Sequence, residues 1–145
     1  MAQKVKTQQI NNPYKFRAYN SSGFTLTNGS FGKTTFNVEV YDTNNNFASS
    51  TYTVPVTGYY HIQGRVSHGN IGNYRALCSI YVNGTSVARG SDVTAPYAGS
   101  VASADLFLTA GDTVELYNLT TTAALTADTS SSDCCWFAGH LIATA

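Results

Sequence analysis

Residues 134–142 read CCWFAGHLI. In an extended segment successive side chains point to opposite faces. Cys135, Phe137, Gly139 and Leu141 then share one face, and Trp136, Ala138, His140 and Ile142 share the other. Both sets are largely apolar. A strand open to water on one side alternates apolar with polar, so this pattern predicts a central strand covered on both sides, by a second sheet and by a neighbouring subunit. The paired cysteines do not redirect the reading. Adjacent Cα atoms lie about 3.8 Å apart, shorter than the roughly 4.4–6.8 Å of a relaxed disulfide. A zinc site needs a C-x₂₋₄-C spacing and a second ligand pair; Cys78, His61, His68 and His140 do not supply one. The cysteines read as small, soft apolar residues.

Working outward from that segment, the chain shows no helical periodicity. Period-2 segments bounded by turn residues recur, as in an all-β sandwich. YKFRAY (14–19) opens the domain, and TTFNVEVYD (34–42) alternates with Phe36, Val38 and Val40 on one face. YRALCSIYV (74–82) puts Ala76, Cys78, Ile80 and Val82 together, and Asn83-Gly84 then predicts a type I′ hairpin, whose two central residues need positive φ. SVASADLFL and TVELYNL flank the tight turn TAGD, and TTTAALTADTSSSD (120–133) reads as a long polar loop. Some ten short strands without crossover helices predict antiparallel sheets packed face to face. Residues 1–13 are polar and read as an arm, followed by one domain over 14–145.

Composition narrows function. Eight basic residues balance eight acidic ones, and charged residues make up only 11% of the 145-residue chain. No field recruits nucleic acid or an anionic membrane, and no apolar run reaches the roughly 20 residues of a spanning helix. Asn, Thr, Ser, Gly and ten tyrosines fill the surface instead, a composition that favours a face covered in an assembly. No secretory signal is visible, and three cysteines are an odd count, so the thiols are expected reduced and the chain made in the cytosol. The Asn-x-Ser/Thr sequons at Asn20, Asn28, Asn83 and Asn118 then carry little meaning.

Catalytic and ligand motifs are weak. GSFGKTT (29–35) has two residues between its glycines and a strand after Lys33-Thr34, so it reads as a turn and not as a phosphate loop. No G-x-S-x-G or H-E-x-x-H occurs, although a dispersed Ser/His/Asp set stays open. Asp92, Asp128 and Asp133 lack the spacing of a calcium loop. His61, His68 and His140 read as ordinary strand or loop residues. No cofactor, no metal and no catalytic residue is expected.

Phe36, Asp42 and Phe47, followed by Tyr52, Gly58, Tyr60 and Ile62, resemble the pattern of the complement C1q globular-head family, which shares its fold with the tumour necrosis factor ligands. YVNG (81–84), LFLTAGDTVEL (106–116) and WFAGHLI (136–142) are similar to further stretches of that family, in the same order. Ile62 replaces a Phe, Gly64 replaces an aromatic, and the gap from Phe47 to Tyr52 is shorter than usual. The resemblance implies an all-β, ten-stranded antiparallel jelly-roll sandwich, a homotrimer, with no enzymatic activity. It implies that Tyr60, Phe137 and Leu141 belong to the core and that Asp112 forms a turn.

The expected function is a trimeric structural or binding module. The first reading is a virion component: a phage decoration, head-fibre or tail-fibre-tip protein. Its arm, Met1 to Asn12, would hold capsid or tail proteins, and its loops would bind a host surface glycan or protein. No collagen-like run precedes the domain and the chain looks complete, which favours this over the alternative, a secreted C1q-like recognition or signalling protein. Candidate contact loops are 43–50, 67–73, 91–100 and 120–133, with Tyr74, Arg75 and Tyr97 as candidate anchors because aromatics and Arg dominate binding hot spots.

Overall fold

The computed structural model describes residues 12–69, 74–121 and 125–145. Eleven strands follow one another: β1 (Lys15–Tyr19), β2 (Gly32–Lys33), β3 (Val38–Asp42), β4 (Phe47–Ala48), β5 (Thr51–Thr53), β6 (Gly58–Ser67), β7 (Ala76–Val82), β8 (Thr85–Arg89), β9 (Gly99–Leu108), β10 (Thr113–Thr120) and β11 (Trp136–Thr144). Among the described residues there is no helix. Two sheets form, ordered β3-β1-β11-β6-β9 and β4-β5-β10-β7-β8, with β2 added to β10. Every strand pairing is antiparallel. The strand count exceeds the expected ten by one, and two of the eleven, β2 and β4, are two-residue pieces too short to show alternation.

The closing strand lies in the middle of its sheet, between β1 and β6. Its inner face meets the second sheet: Phe137 is fully buried, packs edge-on against Phe16 at 5.0 Å and stacks on Phe36 at 5.9 Å. Phe16 in turn stacks on Tyr52 at 4.3 Å and Phe47 at 5.2 Å. Phe16, Phe36 and Phe137 come from the first sheet and its approach, Phe47 and Tyr52 from the second. One aromatic cluster therefore welds both layers. Tyr60, Phe137 and Leu141 are buried, as the resemblance implies. Gly64, which stands where the pattern has an aromatic, leaves no space for a side chain: a Cβ there would come within 2.7 Å of Leu116 Cδ2 across the sandwich.

Asn83 and Gly84 both have positive φ, +49° and +77°, as a type I′ turn requires. Asp112 accepts from the Thr109 amide at 2.8 Å and closes the TAGD turn.

Three sequence readings need correction. Val40 does not share the core face with Phe36; it is 52% exposed. The β1–β3 register shifts between Arg17 and Ala18, so Val40 is the extra residue of a bulge and the alternation breaks there. Cys134 and Cys135 are not part of the strand but sit in the turn that enters it. Cys135 Sγ faces the Ser67 and Asp128 carbonyls, while Cys134 Sγ faces the Asp128 carboxylate. Finally, the 120–133 segment is not a free polar loop throughout. Leu125 and Ala127 are buried, and Thr126 and Ala127 bridge to Thr25 and His68, strapping that end of the sandwich.

Candidate functional site

The register places the outward side chains of the five-stranded sheet in rows. One row runs Tyr19–Trp136–Arg65–Val101 across β1, β11, β6 and β9. The next runs Arg17–Ala138–Gln63–Ser103, and Arg17 lies over the Trp136 ring at 4.9 Å. A third row is Lys15–His140–His61–Asp105. Beyond it Tyr59 and Phe107 face each other edge-on at 5.2 Å, with Ile142 beside them on β11 past its register shift.

This face is unusually bare. Among the described residues the exposed large hydrophobics are Val40, Tyr41, Tyr59, Val101, Phe107 and Ile142 in this one sheet, against Val87 alone in the other and Tyr74 and Tyr97 in loops. Tyr59 and Phe107 are 52% and 55% exposed. Single exposed apolar residues are ordinary, but a contiguous group marks a surface that another body covers; Tyr59, Phe107 and Ile142 form such a group, while Val101 stands at the other end of β9 and Val40 and Tyr41 on the far edge strand. The sequence located the β11 part of this face through the double apolar pattern. It missed the contributions of β6 and β9, whose alternation is legible but whose side-by-side placement depends on strand order.

The titratable row is the polar centre of the face. His61 Nδ1 and Asp105 Oδ1 are 2.7 Å apart, and the His61 and His140 rings lie 5.5 Å apart. Partial burial pushes the His140 imidazole below its ordinary value, the charge of neighbouring His61 acts in the same direction, and Asp105 opposes both. Ser103 Oγ stands 3.5 Å from His61 Nε2, so Ser, His and Asp do meet here. The arrangement lacks what a nucleophile needs. The Asp105 side chain is 70% exposed where a triad aspartate is buried. The three residues stand on the open outer surface of the sheet, on β6 and its edge neighbour β9.

Of the residues proposed as anchors, Tyr74 and Arg75 precede β7 and Tyr97 lies in the 91–98 segment. The Val93–Ala76 pairing and the bond from the Tyr97 amide to Gly69 O bring these segments to one end of the sandwich, where β6 ends and β9 and β11 begin. Tyr97 is 65% exposed and held at positive φ. Arg75 is engaged instead, in a two-pronged bond to Asp92 at 2.9 and 3.1 Å that raises its already high pKa. The 43–50 loop sits at the opposite end, beside Lys15 and Pro13. Residues 70–73 and 122–124 of the candidate loops, and 1–11 of the arm, lie outside the described residues. Among the described residues no group of three or more His, Cys, Asp or Glu is placed to hold a metal.

No family model and no curated protein matches the sequence. Solved structures do match the fold. The chain is similar to the globular domain of zebrafish complement 1qA, at 18% identity and a TM-score of 0.69 over 93% of this chain and 100% of that one. It is similar to murine APRIL at pH 5.0, at 12% identity and a TM-score of 0.65 over 88% and 98%. It is also similar to Eiger TNF from S. frugiperda, at 12% identity and a TM-score of 0.63 over 91% and 94%. The fold is therefore the C1q/TNF-like antiparallel jelly roll.

Proposed function

We propose that the chain is a non-enzymatic binding module that forms a homotrimer through the outer face of its five-stranded sheet. The carrying observation is the gathering of Tyr59, Val101, Phe107, Ile142, Val40 and Tyr41 on that one face. The resemblance to C1q and tumour-necrosis-factor domains supports identical copies as the occupant and threefold closure as the geometry.

Within that reading the trimer is a virion component, a phage decoration, head-fibre or tail-fibre tip. Two features support it. The surface is rich in amides and hydroxyls, with charged residues at 11%. The domain is also polar end to end: Asn12, where the arm joins, bonds the Leu141 carbonyl at one end, while the Tyr74 and Tyr97 segments stand at the other. An arm that holds capsid or tail proteins would leave Tyr74, Arg75 and Tyr97 facing a host glycan or protein. The secreted recognition reading is favoured by the likeness to a complement domain.

Light scattering on the purified chain is the direct test. A particle of about three times the 15.5 kDa chain mass, by C₃ closure, is expected; a single-chain mass at high concentration overturns the assembly. Imaging of native particles then separates the two roles, since the virion reading requires the chain on the particle.

A further inference from the structure

The turn between the two sheets holds a set of buried oxygens that find no hydrogen-bond partner among the described residues. Asp42 ends β3, and the chain crosses through Thr43–Asn46 to β4. Asp42 Oδ2 accepts from the Phe47 amide at 2.7 Å. Its other oxygen, Oδ1, is buried without a hydrogen-bond partner among the described residues, and so is Asn46 Oδ1. No lysine, arginine or histidine pairs with Asp42 among the described residues. The third member is Tyr52, only 1% exposed, whose hydroxyl also has no partner among the described residues. It belongs to the same pocket of structure: Phe47 and Tyr52 are cross-strand partners. Burial first, then the Tyr60 phenol and the Asp42 charge, drive the Tyr52 pKa far up, which keeps the phenol neutral and places it within reach of the Asp42 field.

A buried carboxylate oxygen without a donor or counter-charge is the costliest kind of orphan. Asn46 Oδ1, a second such acceptor, belongs to the same turn, and a cation would serve both. The sequence spacing adds to this. Asp42, Asn44 and Asn46 alternate as D-x-N-x-N, which matches the first three ligand positions of an oxygen-ligand calcium loop though Phe47 and Thr53 replace its Gly and Glu, and Asn45 turns the chain at positive φ. Carboxylate and amide oxygens are calcium's donors, whereas Mg²⁺ sheds water reluctantly and demands stricter geometry.

We propose that the Asp42–Phe47 turn binds a hard cation, Ca²⁺ before Mg²⁺, through Asp42 Oδ1 and Asn46 Oδ1. The Tyr52 hydroxyl anchors a water of the ion's shell, and loop carbonyls and solvent complete it. The ion would fasten the crossover from one sheet to the other at the end where the arm joins. This is independent of the oligomeric state.

The test uses the full chain freed of metal by a chelator. Isothermal titration with CaCl₂ is expected to show one saturable site per chain. Calcium should raise the melting temperature, EDTA should reverse the rise, and MgCl₂ should do less. Asp42→Asn keeps an oxygen for the Phe47 amide, so the fold stands, but loss of the only carboxylate weakens calcium at least about tenfold. Asp92→Asn, at the far end, leaves binding unchanged. Tb³⁺ excited through tyrosine should emit, and Tyr52→Phe should dim it. Absence of saturable binding up to about 10 mM, beyond the millimolar limit of weak calcium modules, overturns the proposal and assigns the oxygens to a buried water. Equal calcium binding by Asp42→Asn overturns it as well.

Discussion

The two sheets wear their aromatic side chains differently on the outside. On the six-stranded sheet Tyr81 and Tyr117 stack at 4.0 Å, Phe31 tilts against Tyr81 at 5.8 Å, and Arg89 caps Phe31 at 5.3 Å. Lys33 meets Glu115 at 2.8 Å, and Glu115 also accepts from Thr51 and Tyr117. That face is finished: its rings cover one another, Lys33 pairs with Glu115, and Arg89 lies over a ring. On the five-stranded sheet Tyr59 and Phe107 touch each other and then face water. The difference teaches that aromatic content alone does not mark an interface. What marks it is aromatic surface that the subunit's own side chains leave uncovered.

The largest expected effect ignores the contrast, because both sheets share one core. Phe137→Ala should cost about 3–5 kcal/mol, read as a lower denaturant midpoint, and should unfold both layers together. If only one sheet were lost, the shared-cluster account would fail.

The contrast itself is broken by substitution on the outer faces. Tyr59→Ser with Phe107→Ser should weaken assembly by about 2 kcal/mol or more, roughly thirtyfold in association constant, with little change in the monomer's melting. Tyr81→Ser, its counterpart on the other sheet, should do the reverse: about 1 kcal/mol of stability lost and sedimentation unchanged. Identical sedimentation for both would remove the distinction.

A smaller effect tests the finished face. Burial works against the Glu115 charge, but the bonds from Lys33 and Thr51 outweigh it and hold the carboxyl below its ordinary value of 4.5. A lowered folded pKa means stability that is present above 4.5 and lost as pH falls through the folded value. Glu115→Gln should therefore cost about 1 kcal/mol at neutral pH and nothing in strong acid, by urea titration at both.

The smallest belongs to the bare face. His140 titrates below its ordinary 6.5 in the folded chain, so protonation is resisted. Above 6.5 the group is neutral in both states; as pH falls below that, the folded form is penalised. Covering the face deepens the penalty, since Lys15, His140 and His61 stand in one row with Asp105 the only acid there. Association should weaken between neutral pH and pH 5.5, and His140→Gln should flatten the profile.

Much of this was legible beforehand. The Asn83-Gly84 turn could be read because a backbone requirement selects two residue types at fixed positions. The central place of β11 could be read because two apolar faces admit few explanations. Val40 could not: a bulge is set by the partner strand's register and leaves no local mark. The bare face was half legible, its β11 portion visible and the strands beside it not, because neighbour order is a tertiary fact. The Asp42 turn carried its spacing in the sequence, but burial of Oδ1 is a tertiary fact that spacing cannot show.

The three thiols end up chemically unequal. Burial pushes Cys78 up to about 11 and Cys135 up to about 12, which leaves both almost wholly protonated and hidden at neutral pH. Cys134 alone is partly exposed. A maleimide dye should therefore attach at that single position in the unaltered protein and place a reporter at the tip carrying Tyr97, without engineering.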